Sequence, residues 1–367
     1  MAQFEIKDGV AIIPDGTTSI GERAFENCDS LTSIIIPNSV TSIGRLAFDG
    51  CTSLESVTIP EGVTEIGECA FYDCTSLKNI IIPEGVTGIV YRTFCNCSSL
   101  KEIIIPESVT EIGGGVFYGC TSLESITIPD SITSIGDVAF YGCTSLESIT
   151  IPDSITSIGD IAFYGCTSLK SIIIPESVTN IGFKTFSDCT SLESITIPNS
   201  VTKIGWEAFR GCTSLESVVI PKGVRKIEER AFAGCTSLTT LTLPIGVNKI
   251  EEQVFDECSA LAAINVPAKK TDYYKQRLPE EFHDKIVELA PKRKQKQRKN
   301  ARLPRVIRMD DSNGKDQQAR QMNGRVVTVK FIDGIGQIHL EESGLALIPG
   351  VDEFVYVDQQ GTHPLLM

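Results

Sequence analysis

The chain has 367 residues, 41% of them hydrophobic and 22% charged, and a net charge of −14. This composition can supply a core, and no apolar run approaches the ~20 residues that a membrane-spanning helix requires. Charge is uneven: residues 1–267 hold 15 Lys and Arg against 33 Asp and Glu, residues 268–367 hold 18 against 14, and the acidic majority argues against a nucleic-acid surface there.

At the N-terminus, MAQFEIKDGVAIIP has neither a basic start nor a long apolar stretch, so it lacks the pattern of a secretory signal peptide. The segment FEIKDGVAII is expected to open the fold as a strand through Phe4, Ile6, Val10 and Ile12.

From Pro14 to Pro267 the chain then repeats C-x-x-L-x-x-[IVL]-x-[IVL]-P-x-x-[VI]-x-x-I-G-x-x-[AVT]-F-x-x every 23 residues, without insertion or deletion. Eleven of the thirteen cysteines, from Cys28 to Cys258, keep this interval, and only Cys69 and Cys95 stand outside it. Twelve of the seventeen prolines and eleven phenylalanines, Phe25 to Phe255, keep it too. Residues 118–140 and 141–163 are identical except at Val138 and Ile161.

Within each period, L-x-x-I-x-I-P alternates as a half-buried strand does, as at Leu146, Ile149 and Ile151, and it stops at a proline that cannot donate to a ladder. Such a strand cannot bury its apolar face alone. Stacking of successive periods places equivalent strands side by side at roughly 4.8 Å in a parallel sheet. The segment V-T-x-I-G-x-x-A-F returns the chain, with Val or Ile, Ile, Ala and Phe inward and the phenylalanines aligned as a spine. Gly136 and Gly159 are expected to allow a turn of positive φ.

This signature resembles the 23-residue class of leucine-rich repeats found in BspA-like surface proteins and their treponemal relatives, over residues 10–267. The resemblance implies a curved solenoid with strands on its concave side, and surface adhesion with binding of host proteins. The fold expected is therefore an α/β repeat solenoid: a right-handed leucine-rich-repeat superhelix with a parallel concave sheet. A helical C-terminal cap and a small C-terminal β appendage complete it.

After the repeats, residues 268–290 read as a helical cap in which Tyr273, Tyr274, Leu278, Phe282, Ile286 and Leu289 cover the last turn. Residues 291–324 read as a basic linker, with nine Lys or Arg between Lys292 and Arg308. The first reading is a solvated linker. The alternatives are a basic arm for an acidic surface or nucleic acid, although no aromatic is interleaved for base stacking, and contact with the acidic solenoid itself; nucleic acid is not expected elsewhere in the chain. Residues 325–367 regain β character in RVVTVKFID, GIGQIHLEE and VDEFVYVD, with Asp333-Gly334 a hairpin turn.

Catalytic constellations are absent from the repeats, since His283, His339 and His363 all lie beyond them. Thiols one repeat apart run along a stack and do not converge on a tetrahedral centre, so no metal or cofactor is expected. Their spacing falls within the Cα range of a disulfide, but parallel inward side chains favour free thiols. Hydroxyl pairs such as Ser148 and Thr150 resemble ice-binding arrays, yet Ile35, Ile81, Ile104 and Val219 break the columns.

Candidate binding residues come from positions that vary between repeats. Tyr118, Tyr141 and Tyr164 follow the spine phenylalanine in three consecutive repeats, and Tyr72 occupies the same position earlier. A second variable column carries Tyr91, Phe183 and Trp206, with Lys184, Lys203 and Arg210 nearby. Aromatic residues and arginine are the types that dominate interface energy. In the least regular repeat, IVYRTFCNC, Tyr91 and Arg92 neighbour Gly114 and Gly115 one repeat on, and the four could line a notch.

The reading is a non-enzymatic binding or adhesion protein whose solenoid engages another protein or a surface glycoconjugate. The alternative is an intracellular scaffold whose basic tail addresses an acidic partner. Resemblance places the chain at the cell surface, and the missing signal pattern places it in the cytoplasm.

Overall fold

The computed structural model describes residues 4–290 and, beyond them, only short strands between Val306 and Leu365. The chain divides into two compact units, Met1–Pro291 and Lys292–Met367.

The first unit is a parallel-strand solenoid. Its first strand column contains Val10–Ile12, Ser33–Ile35, Ser56–Thr58 and Asn79–Ile81, then Ser125–Thr127 and its repeats to Ala263–Val266. Partners sit 23 residues apart, as in Ser148↔Ser125, so the sequence period and the sheet register are the same quantity. In the repeat between Asn79–Ile81 and Ser125–Thr127 the column thins to single bridges, Ile81↔Ile104 and Ile104↔Thr127. A second column, exemplified by Ser134–Ile135 and Ser157–Ile158, is likewise built of parallel strands 23 residues apart.

Alternation along each strand buries Ile126 and Ile149 and leaves Ser125, Thr127, Ser148 and Thr150 outside. On the return segment the spine is built as expected: Phe48 and Phe71 stack at 5.1 Å, and every ring from Phe25 to Phe232 is fully buried. The thiols beside it are all free, and each interior one donates to a backbone carbonyl, as Cys143 Sγ does to the Phe117 oxygen at 3.1 Å.

The glycines of the return segment differ from expectation. Gly136 and Gly159 do not have positive φ. They are glycines because each turn rests directly on the preceding one: a Cβ on Gly136 would lie 2.6 Å from the Gly113 carbonyl carbon, and one on Gly159 would lie 2.4 Å from the Asp137 nitrogen. Positive φ falls instead at two other columns. One contains Asn27, Gly50, Asp73, Gly142 and Gly165, residue types suited to it. The other contains Arg23, Leu46, Arg92, Val138, Ile161 and Lys184, with Gly115 its single glycine.

Both ends are closed by departures from the period. At the start, Ile6–Lys7 pairs antiparallel with Val10–Ile12 around Asp8 and Gly9, both of positive φ, and Phe4 stacks on Phe25 at 5.6 Å. Ile12 does not face inward; it is 65% exposed, while Ala11 and Ile13 are buried.

At the other end the segment after Pro267 is only partly helical. A single-turn α-helix, Thr271–Lys275, precedes a 3-10 helix, Glu280–Lys285, and a strand, Ile286–Glu288, which pairs parallel with Ala263–Val266. This pairing joins Ile264 to Ile286, an offset one residue short of the period. Tyr274, Leu278 and Phe282 are buried, with Phe282 edge-on to Phe255 at 5.6 Å, whereas Leu289 is exposed.

In the second unit, Val329–Ile332 pairs antiparallel with Ile338–Leu340, and Asp333-Gly334, read from the sequence as a hairpin turn, lies outside the described residues. Val306–Met309, inside the segment read as a linker, is a strand that pairs with Phe354–Val357. The basic run 292–305 lies outside the described residues.

Candidate functional site

The return turn dictates which side chains reach solvent. In residues 136–143 alternate amides bond along the rod and within the turn: Val138 and Phe140 donate to the Asp160 and Ala162 carbonyls at 2.9 and 2.8 Å, whereas Tyr141 and Cys143 donate to carbonyls three residues back. Ala139 and Phe140 enter the core, and Tyr141, the next residue, is left half-exposed on the outside of the turn.

Repetition of this turn stacks the tyrosines. Tyr118 and Tyr141 have ring centroids 4.5 Å apart at 3°, and Tyr141 and Tyr164 are 4.9 Å apart at 6°. At one end the Arg92 guanidinium lies 6.0 Å from the Tyr118 ring centroid and 5.1 Å from that of Tyr91. The expected notch is not there. The Tyr91 ring and the Arg92 side chain lie over Gly114 and Gly115 and fill the space that a Cβ would take, at 3.5 and 3.1 Å. The Arg92 Nε is buried without a hydrogen-bond partner among the described residues.

At the other end of the ladder, the hydrogen bond to the Asp188 carboxylate, reinforced by burial, pushes the Tyr164 phenol up to about 12. Asp188 in turn faces Arg210 at 3.8 Å. Phe183 and Trp206 form a second stack, 5.0 Å apart at 8°, with the Lys184 ammonium 5.3 and 5.2 Å from their centroids. That ammonium also pairs with Glu207 at 3.2 Å. The Glu207 carboxylate is nearly removed from solvent and lies 4.0 Å from the Arg210 guanidinium.

All eight residues singled out from the sequence thus fall on consecutive turns of one segment. Tyr91, Arg92, Tyr118, Tyr141 and Tyr164 form one continuous group; Phe183, Trp206 and Arg210 form another, joined to it through Asp188. Of the linking residues, the sequence marks Lys184 only as a neighbour of the aromatic column, and it does not mark Asp188 or Glu207, since each is a common surface type with no local signature. Beside Arg210, the glycines Gly211 and Gly234 leave a hollow of about 330 Å³, also lined by Arg230 and Asp256.

The stacking has a chemical consequence. Each internal ring spends its faces on its neighbours, so the strip offers ring edges, phenol oxygens and flanking cations, and free ring faces only at its ends. Among the described residues, no group of three or more His, Cys, Asp or Glu is placed to hold a metal ion, and no helix is long and apolar enough to cross a membrane.

The strand side holds a feature that sequence reasoning treated only as interruption. Ile12, Ile35, Ile81, Ile104, Ile173 and Val219 share one outward column and are 57–72% exposed.

Comparison with known proteins gives a consistent result. Residues 10–123, 110–212 and 179–278 match the model of a BspA-type leucine-rich repeat region, in six copies. A leucine-rich repeat protein from Bacteroides ovatus is 33% identical over 77% of this chain and 84% of its own, with a TM-score of 0.53. The pneumococcal vaccine antigen PcpA shares the fold at a TM-score of 0.53 and 23% identity, over 70% of this chain and 68% of its own. No curated protein matches the sequence.

Proposed function

We propose, for a chain that belongs to the BspA-type leucine-rich repeat family, that its function is non-enzymatic binding at a cell surface. The repeat array serves as an extended platform for another protein or a surface glycoconjugate. The observation that carries this reading is the strip from Tyr91 to Arg210, in which six aromatic side chains and two arginines line successive turns. Rigid aromatics of this kind lose little entropy on binding, and a single such anchor contributes about 2 kcal/mol or more when it becomes buried.

Affinity capture with the full chain tests the proposal, using the variant Phe183→Ala with Trp206→Ala as comparison. The parent is expected to retain a protein or glycan from surface extracts. The variant is expected to lose at least about tenfold in affinity while its thermal transition moves little, because Trp206 is 36% exposed. Unchanged retention by the variant removes the strip as the binding site. Protease treatment of intact cells tests location: surface exposure predicts digestion of the chain, and full protection sinks the adhesion reading.

A further inference from the structure

The hollow beside Arg210 lies where the aromatic ladder stops. The column that holds Tyr118, Tyr141 and Tyr164 continues as Ser187, Arg210, Ala233 and Asp256, and the column next to it has Gly211 and Gly234. At Ala233 a ring-sized side chain is therefore missing between the turn of Arg210 and the turn of Asp256. A Cβ on Gly234 would meet nothing nearer than the Gly211 nitrogen at 3.5 Å, so the floor is open backbone. The space left is about 330 Å³, at the low end of the range of ligand pockets.

The walls hold hydrogen-bonding capacity that the fold does not use. Among the described residues the Arg210 guanidinium makes no hydrogen bond, and it faces Asp188 and Glu207 only at 3.8 and 4.0 Å. Arg230 commits its Nε to Gln253 at 2.7 Å and leaves its two terminal nitrogens unspent. The carboxylates of Asp256 and Glu257, which close the other end, have neither an ion pair nor a hydrogen bond among the described residues. Thr213 and Thr236 donate to carbonyls of the preceding turn at 3.2 and 3.5 Å, and their oxygens can still accept.

This lining selects a class of ligand. Two guanidiniums stand among three carboxylates, so a polyanion is repelled by Asp188, Asp256 and Glu257, and a polycation by the arginines. An apolar group gains little, because Ala233 is the one lining residue with a wholly apolar side chain. A neutral ligand dense in hydroxyls satisfies both signs. A carboxylate accepts from two neighbouring hydroxyls through its two oxygens, a guanidinium donates to two oxygens through its fork, and each such bond is charge-assisted. Arg210 and Asp256 lie two repeats apart, roughly 10 Å, which is room for one pyranose ring with hydrogen bonds at both edges.

We infer that the hollow is a sugar subsite that takes one neutral pyranose residue of a glycan. Asp256 and Glu257 accept from neighbouring hydroxyls at one edge, and Arg210 and Arg230 donate to oxygens at the other. The inference rests on the binding reading above and selects its glycoconjugate branch. With no aromatic ring to stack on the face of the sugar, the affinity for a single residue is millimolar, and a longer glycan adds to it from the neighbouring strip.

Saturation-transfer difference NMR of the full chain tests this with the methyl glycosides of glucose, galactose, mannose, fucose, N-acetylglucosamine and N-acetylgalactosamine. At least one is expected to bind, and neither a heparin tetrasaccharide nor spermine is expected to displace it. Ala233→Tyr puts into the hollow the side chain that the same column carries at three earlier turns, so it is expected to fold and to weaken the sugar at least about tenfold. Asp256→Asn with Glu257→Gln alters only surface carboxylates and is expected to weaken it by a similar factor. No transfer to any of these sugars, binding that survives either variant, or displacement by the heparin fragment overturns the proposal. Capture from surface extracts is scored separately: capture without sugar binding removes this subsite and keeps the platform, whereas no capture by the parent removes the platform whatever the sugars do.

Discussion

The two glycine columns separate two physical reasons for the same residue, and a pair of substitutions distinguishes them. Gly142 has φ +68° and nothing within 4 Å of an added Cβ, so Gly142→Ala costs only the left-handed conformation, about 1–2 kcal/mol. Gly159 has an ordinary φ, but its Cβ would lie 2.4 Å from the Asp137 nitrogen and 2.5 Å from the Gly136 carbonyl carbon. Relief requires the two turns to separate by about 1 Å, which is overpacking worth about 1–3 kcal/mol. Separation also lengthens the bonds from Gly159 N to the Ile135 oxygen and from Asp160 N to Asp137 Oδ1, now 2.9 and 2.8 Å. Each contributes about 0.5–1.5 kcal/mol, so Gly159→Ala should cost about 2–6 kcal/mol in all. Urea unfolding followed by far-UV circular dichroism measures both. In a one-dimensional array a weakened contact between neighbours also uncouples the two halves, so Gly159→Ala should broaden or split the transition and Gly142→Ala should only shift it. Equal costs, or a larger cost at Gly142, would refute the argument that close stacking selects this glycine column.

Burial holds the Cys51 and Cys166 thiols up to about 12, so the native chain should react slowly with a thiol reagent at neutral pH except at half-exposed Cys28 and Cys69. Rapid native labelling of the remaining cysteines contradicts the ladder of buried thiols. Lys249 and Lys226 hold the Glu251 carboxyl down to about 2 from its ordinary 4.5. A depressed carboxyl contributes stability that is complete above about pH 4.5 and is lost as pH falls toward about 2. Glu251→Gln should therefore flatten the acid limb of stability against pH, and an unchanged slope there removes Glu251 from the account.

Much of the fold is legible because the repeat states each requirement eleven times over. Period, strand, proline stop, phenylalanine spine and inward thiols each follow from a residue type that returns at every turn. What is not legible is contact between turns. Nothing local distinguishes Gly159, held by close approach, from Gly142, held by its φ, since both are glycines in a polar turn. Nor does the sequence show how Glu228 and Glu251 occupy the glycine column in the last repeats. In the structure their carboxylates accept from the Trp206 and Glu229 amides at 3.1 Å, the role that Asp137 plays for the Asp160 amide elsewhere. The cap misleads for another reason: its apolar spacing suits a helix, but the open edge of Ala263–Val266 offers unpaired backbone groups that only a strand can satisfy.

The candidate site was legible as residue types and not as geometry, and the left-handed column explains why its cations are where they are. Val138 and Ile161, the sole difference between two otherwise identical repeats, have φ of +50° and +60°, a conformation that costs a β-branched residue about 1–2 kcal/mol. Selection for stability alone would fill this column with glycine or asparagine, as it nearly does four residues later. Yet the column also holds Arg92 and Lys184, at φ +52° and +50°, and these are the two cations that lie against the aromatic rings of the strip. Left-handed backbone at this point carries the side chain over the neighbouring turn instead of into the core. Amides bonded along the rod, such as Val138 N to the Asp160 oxygen at 2.9 Å and Lys184 N to the Trp206 oxygen at 2.9 Å, hold the strained residue in place. A column whose backbone is over-determined by its neighbours can accept almost any side chain at modest cost. It is therefore the column through which the array can change what it presents without changing how it stacks.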